Sequence, residues 1–305
     1  MTTDFVQRKS LWLGVIYAIS TAFMIAVMNV VAKLLSEHNF HAAEIVFYRN
    51  LFGIFIIGAI ALAWSKSARL FKTSRPKDHL VRGLLGTGGV AFIFAAYAYL
   101  PLTTGTVLIF TSSLMIPVLG SIFLKESVSI YRWTAVIMGF IGILIMTGFA
   151  GQMNPVGVAC GLVGAFLNAC VMVSLRSLAK TEHPLTTSFY FMVTGLILTA
   201  PLMPFLAGGQ IGIEIWPYLF ALAIFGSFSH ITKNAIYLHL PAALAAPFPY
   251  TALVWAALFD FTIWGYIPEW SIIAGGAIVI ISNLFIIYRE HKAAGHKAVR
   301  RNMIS

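Results

Sequence analysis

The sequence contains few charged residues and almost no cysteine. Charged residues of both signs make up 10% of its 305 residues, and only ten are Asp or Glu, whereas soluble domains carry about 25% charged residues. The two cysteines, Cys160 and Cys170, lie in one apolar segment, which supports neither a disulfide framework nor a metal site. Because 59% of the residues are hydrophobic, this composition excludes an ordinary soluble domain and indicates a membrane protein.

Catalytic and nucleotide-binding motifs are also missing. The chain has no His-Glu-x-x-His, no Gly-x-Ser-x-Gly and no phosphate-binding loop that ends in Gly-Lys-Ser/Thr. The stretch from Gly83 to Gly89 is rich in glycine but lacks that lysine, so transport driven by ATP is not supported. An intramembrane enzyme is therefore the weaker alternative, and we expect no cofactor, since catalysis needs a nucleophile and base or metal ligands at useful spacing.

Long apolar segments are what the chain has in abundance. Each is about 20 residues long, the length that crosses a bilayer as an α-helix. We therefore predict an all-α membrane protein with ten transmembrane helices. The predicted spans are Leu11–Leu35, Ala43–Trp64, Leu80–Leu100, Thr103–Leu124, Ile130–Phe149, Pro155–Ala179, Thr186–Ala207, Ile215–Leu238, Ala242–Trp264 and Trp270–Tyr288.

The basic residues indicate how these spans are oriented. Eighteen of the twenty lysines and arginines lie in or beside alternate connections, Arg82 and Lys233 among them. Loops rich in Lys and Arg stay in the cytoplasm, so we predict an inner-membrane protein with both termini cytoplasmic. Because the net charge of +10 is scattered over short connections, we expect no nucleic-acid partner. Lys33 and Arg49 are the two exceptions, within or beside spans on the opposite side.

The two halves of the chain repeat each other weakly but in a constant order and at a nearly constant offset. The matching pairs are Leu13-Gly14-Val15 with Val156-Gly157-Val158, Phe47-Tyr48 with Phe189-Tyr190, and Phe110-Thr111 with Tyr250-Thr251. Residues 1–151 and 152–305 are therefore predicted to be two five-helix repeats. Since five is odd, the second repeat inserts upside down, and such inverted repeats are typical of secondary transporters.

Four short motifs carry a resemblance to a known family. They are Val31-Ala32-Lys33-Leu34, Phe47-Tyr48-Arg49-Asn50, Thr111 to Pro117 followed by Leu124-Lys125-Glu126, and the stretch from Ala246-Pro247 through Trp255 to Gly275-Gly276. With these motifs, nearly the whole chain resembles the EamA family of the drug/metabolite transporter superfamily. The resemblance implies export or uptake of small metabolites, amino acids and related compounds, often coupled to a proton or to exchange. Where the family usually has a second Glu before the tenth span, this chain has Tyr266.

Arg49 is the first candidate for contact with a substrate. It lies about six residues, or roughly 9 Å, inside the second span, and a guanidinium fork suits a carboxylate or phosphate. A structural pair with Glu37 or Glu44, or a side chain that reaches the outer surface, is the alternative. Lys33 lies nearer to a helix end and favours the structural role, whereas the repeat places Phe191 opposite Arg49 and makes Arg49 the asymmetric position.

Three prolines point to a binding site between the halves. Pro117 in the fourth span and Pro247 and Pro249 in the ninth are predicted to break their helices at matching places, although a plain kink is the alternative. The polar and aromatic side chains near them are predicted to bind substrate: Thr111, Ser113, Tyr250, Thr251 and Trp255. For Trp255, packing between helices is the alternative.

Four more polar residues lie inside predicted spans. Asn29 and Asn168 complete the predicted substrate-binding set. His230 is predicted to couple transport to a proton because imidazole titrates near neutral pH, and Asp260, an acid embedded in the ninth span, is its rival. A structural hydrogen bond between helices is the alternative for both His230 and Asp260.

These observations predict a secondary active transporter that works by alternating access. Its partners are a small-molecule substrate, the lipid bilayer, and a coupling proton or counter-substrate. An exporter or exchanger of an amino acid or related amphipathic compound is favoured, because a mid-membrane Trp beside hydroxyl groups suits such a ligand. The alternative is an uptake carrier for a nucleoside-like or vitamin-like metabolite of the S-adenosylmethionine or riboflavin type.

Overall fold

The computed structural model describes residues 2–65, 72–124, 130–147, 153–178, 181–240, 245 and 247–302, and their regular structure is helical throughout. The long helices are α1 (Thr2–Glu37), α2 (Ala42–Ser65), α3 (Pro76–Tyr99), α4 (Leu102–Leu124), α5 (Ile130–Thr147), α6 (Pro155–Leu178), α7 (Pro184–Thr199), α8 (Trp216–His239), α9 (Thr251–Trp264) and α10 (Trp270–Asn302). After α7, a 3-10 turn at Ala200–Leu202 and a helical turn at Met203–Leu206 extend the same segment. The order of helices agrees with the order of the predicted apolar segments.

Seven helices within these ranges are long and apolar enough to cross a bilayer: α1, α2, α3, α5, α6, α7 with its extension, and α10. Shorter apolar stretches lie in α4, over Leu102–Ile116, and around α9, over Phe248–Trp264. Large apolar side chains such as Phe55, Phe205 and Val254 are widely exposed on the helices. Such a surface is unsuited to water and suits lipid, so the chain is a multi-pass membrane protein.

The prolines behave differently in the two helices for which breaks are predicted. Pro247 precedes a 3-10 turn at Phe248–Tyr250, and regular α-helix begins only at Thr251. The predicted break in the ninth segment is therefore present. The predicted break at Pro117 is wrong, because α4 runs without interruption from Leu102 to Leu124. Proline removes one backbone donor, and α4 remains helical despite that loss.

Helix packing follows a regular pattern. The most extensive contacts join α3 with α6, α1 with α8, and α5 with α10; α4 then packs on α6, α9 on α1, and α2 on α7. The connections between α1 and α2, α3 and α4, and α7 and α8 lie at one end of the bundle, which we call the α1–α2 end. The connections between α2 and α3 and between α6 and α7 lie at the opposite, α2–α3 end. The motif residues Lys125 and Glu126 lie outside the described residues.

Candidate functional site

Arg49 is buried in the interior of the helix bundle. It lies seven residues after the start of α2, or roughly 10 Å along the helix, and is only 3% exposed. One guanidinium nitrogen donates a 2.9 Å hydrogen bond to the Asn50 side-chain oxygen. The guanidinium carbon lies 5.1 Å from the centre of the Phe191 ring on α7, a cation–π distance.

Arg82 reaches the same ring from the opposite end of the bundle. It lies six residues after the start of α3, is 6% exposed, and donates a 3.2 Å hydrogen bond to the Thr187 carbonyl. Its guanidinium carbon lies 4.9 Å from the centre of the Phe191 ring. Arg82 thus lies beside the α2–α3 connection, where the sequence groups it with other basic residues, but its side chain is buried between helices. α3 begins four residues before the predicted span, so Arg82 falls on the buried face of a helix.

No acidic side chain in the described part of the chain lies within 4.0 Å of either guanidinium. The carboxylate of Glu44 accepts hydrogen bonds from the backbone nitrogens of Gly208 and Gly209 at 3.2 and 3.3 Å. The carboxylate of Glu37 accepts from the Trp264 indole at 2.7 Å. The alternative in which Arg49 pairs with Glu37 or Glu44 is therefore wrong, and two buried cations share one neutral ring.

Several buried donors around these cations have no hydrogen-bond partner. They are Arg49 Nε, Asn50 Nδ2, Arg82 Nε, Thr87 Oγ1 and Ser227 Oγ, each on a residue at most 6% exposed. Asn50 and Thr87 both approach Gly195 of α7, and Ser227 of α8 approaches Gly53 of α2. We call these five residues together with Phe191 the arginine cluster. Buried polar groups without partners are rare in proteins, so five in one place mark a candidate binding site.

His230 lies at the edge of the arginine cluster. Its ring packs edge-on against Phe191, with the ring centres 5.8 Å apart. The structure therefore brings two predicted site residues, Arg49 and His230, to the same phenyl ring. Lys233 follows three residues later on α8, within the predicted eighth span, and is partly buried.

A second group of polar and aromatic side chains lines the contacts among α1, α3, α4, α6 and α9. The Asn29 amide donates a 3.0 Å hydrogen bond to the Tyr97 hydroxyl, which lies 3.3 Å from Thr106 Oγ1. The Asn168 amide donates a 3.1 Å hydrogen bond to Ser112 Oγ. Both asparagines thus link helices, as their sequence position inside apolar spans suggests.

The other predicted binding residues lie around the break before α9. Tyr250 packs edge-on against Phe110 with ring centres 4.8 Å apart, and its hydroxyl lies next to the Ser113 side chain. The Trp255 ring lies 5.0 Å from the centre of the Phe23 ring. The hydroxyls of Thr111 and Thr251 donate to carbonyls of their own helical segments, at 2.6 and 2.7 Å. These two threonines therefore have satisfied hydroxyls, whereas Tyr250 and Trp255 are partly exposed.

Asp260 has a well-defined structural role. Its carboxylate accepts hydrogen bonds from the backbone nitrogens of Leu102 and Thr103 at 3.0 and 2.7 Å, and from Thr103 Oγ1 at 2.7 Å. These are the free donors at the amino end of α4, where a negative charge is favourable. The carboxylate is fully buried. Its predicted coupling role stays a prediction.

Lys33 also connects helices. Its ammonium donates a 3.3 Å hydrogen bond to the Leu100 carbonyl at the end of α3 and lies 4.4 Å from the centre of the Trp264 ring of α9. A cation at a helix carboxyl end is favourable. Lys33 therefore fits the structural alternative, which Arg49 does not.

A contact around a glutamate joins helices at each end of the bundle. At the α2–α3 end, Glu182 accepts a 2.9 Å hydrogen bond from Thr73 Oγ1 and lies 3.6 Å from His79 Nε2. At the α1–α2 end, Glu44 holds the backbone of Gly208 and Gly209. We call these the Glu182 contact and the Glu44 contact. Both join the first half of the chain to the second.

Sequence reasoning missed most of the arginine cluster. Asn50, Thr87 and Ser227 are small polar residues in apolar helices, and no local pattern separates them from packing residues. Arg82 had a usable signal, because Pro76 favours the first turn of a helix and moves the predicted start of α3 toward its observed position.

Comparison with known proteins gives consistent matches over almost the whole chain. The model of the EamA-like transporter family matches residues 12–148 and again residues 155–288. An S-adenosylmethionine uptake transporter of Rickettsia bellii is 28% identical over 276 residues, covering 88% of this chain and 91% of that protein. A pseudopaline exporter of Pseudomonas aeruginosa is 26% identical, covering 88% and 94%. A riboflavin transporter of Vibrio cholerae is 25% identical, covering 92% and 94%.

The fold is also similar to a solved one. A crystal structure of a protein 15% identical in sequence superposes with a TM-score of 0.63, covering 94% of this chain and 99% of that one. At this identity, the similarity supports the fold alone.

Proposed function

Because the chain belongs to the EamA-like transporter family, we propose that it is a secondary active transporter that moves a small organic metabolite across the inner membrane by alternating access. In this proposal its ten helices all cross the bilayer as two inverted five-helix repeats, over residues 1–151 and 152–305, with both termini in the cytoplasm. The family model matches once within each of these ranges, and loops rich in lysine and arginine favour the cytoplasmic side.

Contacts at the ends of helices support the inverted repeat. Gly14, near the start of the apolar part of α1, approaches Leu240 and His239 at the end of α8. Gly157, near the start of α6, approaches Leu100 and Tyr99 at the end of α3. The two glycines occupy equivalent positions in the sequence repeat, and so do their leucine partners. One contact is therefore the image of the other with the halves exchanged.

Contacts within the bundle follow the same rule and carry the proposal. The nearest neighbours of Gly53 are Met192 and Ser227, and those of Gly195 are Asn50 and Thr87. In the sequence repeat, Gly53 is equivalent to Gly195, Asn50 to Met192, and Thr87 to Ser227. The second contact is therefore the first with α2 exchanged for α7 and α8 exchanged for α3. This reciprocity is what a two-fold relation between inverted halves produces, and it is the single observation that most favours an alternating-access carrier.

A third pair of contacts supports the equivalence of Arg49 and Phe191 in the proposed repeat. Gly86 approaches Phe191 and Val171, whereas Gly226 approaches Arg49 and Met28. Arg49 and Phe191 are thus equivalent positions that touch each other. The two contacts have the same geometry, but one contains a phenyl ring where the other contains a guanidinium group.

The two closing contacts provide a means of alternating access. The Glu182 contact lies at the α2–α3 end and the Glu44 contact at the α1–α2 end, and in this proposal each closes its end. In the proposed cycle, opening of one contact admits the metabolite to the interior while the other stays closed. The residues predicted to line its path are Asn29, Arg49, Thr111, Ser113, Asn168, Tyr250, Thr251 and Trp255, and His230 or Asp260 is proposed to carry a coupling proton unless a counter-substrate drives exchange.

For the substrate we propose an amino acid or a related amphipathic compound, exported or exchanged. Partly exposed aromatic rings beside hydroxyl groups, as at Tyr250 and Trp255, suit such a ligand. The second candidate is uptake of S-adenosylmethionine, because the uptake transporter of Rickettsia bellii is similar over most of both chains.

Transport by purified protein tests the proposal. Full-length protein in liposomes is mixed with labelled L-amino acids, S-adenosylmethionine and riboflavin, and uptake is compared with protein-free liposomes. We expect saturable uptake of at least one amino acid or of S-adenosylmethionine. Absence of protein-dependent movement for the whole panel would refute the proposal.

A further inference from the structure

We infer that the arginine cluster binds the carboxylate group of the transported metabolite, between the guanidinium groups of Arg49 and Arg82. This inference rests on the proposed function and adds the chemical class of the substrate. It starts from the fact that two buried cations at most 6% exposed have no carboxylate of the described residues within 4.0 Å. A buried cation is retained only when a partner or a function compensates its desolvation.

The free hydrogen-bonding atoms of the cluster favour an acceptor. Both arginines leave Nε unpaired, and Asn50 leaves an amide nitrogen unpaired. All three are obligatory donors, and guanidinium groups bind carboxylates through two parallel hydrogen bonds. The unpaired hydroxyls of Thr87 and Ser227 can donate to the same group. A cationic group of a ligand would be repelled at this position, and an uncharged group would leave the desolvated charges uncompensated.

The packing of the cluster favours a small, flat oxyanion. Ser227 approaches Gly53 on α2, Asn50 and Thr87 approach Gly195 on α7, and Phe191 lies next to Gly86. A Cβ at Gly86 would lie 2.8 Å from the Phe191 ring, so the ring packs directly against α3, and a carboxylate adds only three planar heavy atoms. The Phe191 ring holds both guanidinium groups by cation–π contact, so the two arginines are already oriented before a ligand arrives.

This assignment separates the substrate classes suggested by the relatives. An amino acid and S-adenosylmethionine both carry a carboxylate, and riboflavin carries none. The arginine cluster therefore favours the first two for this chain. The rest of the ligand would extend toward the polar and aromatic groups of the interior, such as Tyr250 and Trp255.

The test uses ligand-dependent stability, because a ligand that binds the folded state raises its unfolding temperature. Full-length protein in lipid nanodiscs is titrated with potassium acetate against potassium chloride at equal ionic strength, and with L-methionine against L-methioninamide. We expect acetate and L-methionine to raise the unfolding temperature, with L-methioninamide and chloride giving little change.

Three variants make the test specific. Arg49→Gln and Arg82→Gln should each weaken acetate binding by roughly tenfold or more, since losing one partner of a buried charge pair has a large effect. Arg289→Gln is the matched control, because Arg289 also lies over an aromatic ring, Tyr131 at 4.1 Å, but on α10 outside the cluster. It should bind acetate like the unmodified protein. If one glutamine variant fails to fold, the other arginine gives the same answer.

The outcomes are distinguishable from those of the transport assay. Equal stabilisation of the unmodified protein and both cluster variants by acetate, or no stabilisation by any carboxylate, overturns the inference. Transport without carboxylate-dependent stabilisation removes the inference and leaves the proposed function standing. Carboxylate-dependent stabilisation that needs Arg49 and Arg82 supports the site even if no solute of the panel is transported.

Discussion

Arg49 and Arg82 reach the same phenyl ring from opposite ends of the bundle, with guanidinium carbons 5.1 and 4.9 Å from the centre of Phe191. Arg49 comes from α2 and Arg82 from α3. Two like charges held this close in a membrane interior oppose each other and both lose hydration. Their arrangement therefore costs stability in the absence of a ligand, and that cost can be measured.

We expect Arg49→Gln to raise the stability of the ligand-free protein. An arginine at the membrane centre costs about 2.5–3.5 kcal/mol on insertion scales, while its cation–π contact with Phe191 returns only about 0.5–2 kcal/mol. The difference predicts a gain of about 0.5–3 kcal/mol, seen as a higher unfolding temperature in nanodiscs without added carboxylate. Phe191→Ala, which removes a buried ring but keeps both charges, should lower it. A loss of stability in Arg49→Gln as large as that in Phe191→Ala would mean that the arginine is a structural residue.

Asp260 gives a prediction that separates structure from coupling. Asp260→Ala removes the acceptor for two backbone nitrogens of α4 and should destabilise the protein by about 1–3 kcal/mol, because buried donors are left unsatisfied. Asp260→Asn keeps one acceptor oxygen and should cost less. Unfolding temperatures and substrate exchange are to be measured on both variants. If Asp260→Asn is as stable as the unmodified protein but loses proton-driven uptake while keeping exchange, the coupling role predicted from the sequence gains support over a purely structural one.

The two glutamate contacts predict opposite changes in accessibility. In a protein with Cys160 and Cys170 replaced by serine, Thr87→Cys places a thiol in the arginine cluster. Adding Glu182→Gln should speed its labelling by a membrane-impermeant maleimide from the α2–α3 end, because the contact with Thr73 and His79 is weakened. Adding Glu44→Gln should speed labelling from the α1–α2 end.

Glu214→Gln is the control for this experiment. Glu214 is an exposed glutamate in the connection between α7 and α8, and it belongs to neither the Glu182 contact nor the Glu44 contact. It should leave labelling unchanged. Equal acceleration from both ends by either glutamate variant would contradict separate closing contacts.

Glycine substitutions test the packing of α5 on α10. A Cβ at Gly142 would lie 2.7 Å from the Gly275 carbonyl oxygen, so Gly142→Ala should cost about 1–3 kcal/mol by overpacking. A Cβ at Gly58 on α2 would have nothing within 4 Å. Gly58→Ala should therefore leave the protein unchanged or stabilise it by up to about 1 kcal/mol through helix propensity. Thermal unfolding of both variants measures the contrast, and equal effects would argue against the close contact.

Helix positions were largely predictable from the sequence, because bilayer thickness fixes the length of an apolar helix. The predicted fifth span begins at Ile130 and the predicted tenth at Trp270, as α5 and α10 do. The start of α3 was missed because its first turn carries Lys77, Asp78 and His79. Hydropathy treats such a turn as a loop, although polar side chains at a helix start can reach water or each other.

The arginine cluster was predictable only in part. Arg49 stood out because a lone cation in an apolar run is costly wherever it points. Its neighbours come from three other helices, and nothing in the sequence near Arg82 or Ser227 indicates that they lie in one cluster with Arg49. Which polar groups share an interior site depends on helix rotation and pairing, which a local pattern does not encode.

Counterflow tests the central claim, that this chain is an alternating-access carrier, most directly. Liposomes containing the purified protein are loaded with unlabelled L-methionine or S-adenosylmethionine, and the same compound is added outside at tracer concentration with a radioactive label. A carrier exchanges outside for inside molecules through one site, so the account predicts that label transiently accumulates above its equilibrium level for at least one compound, and only in loaded liposomes. Label that equilibrates at the same rate in loaded and empty liposomes would indicate a channel and would contradict the account, as would protein-independent movement of both compounds.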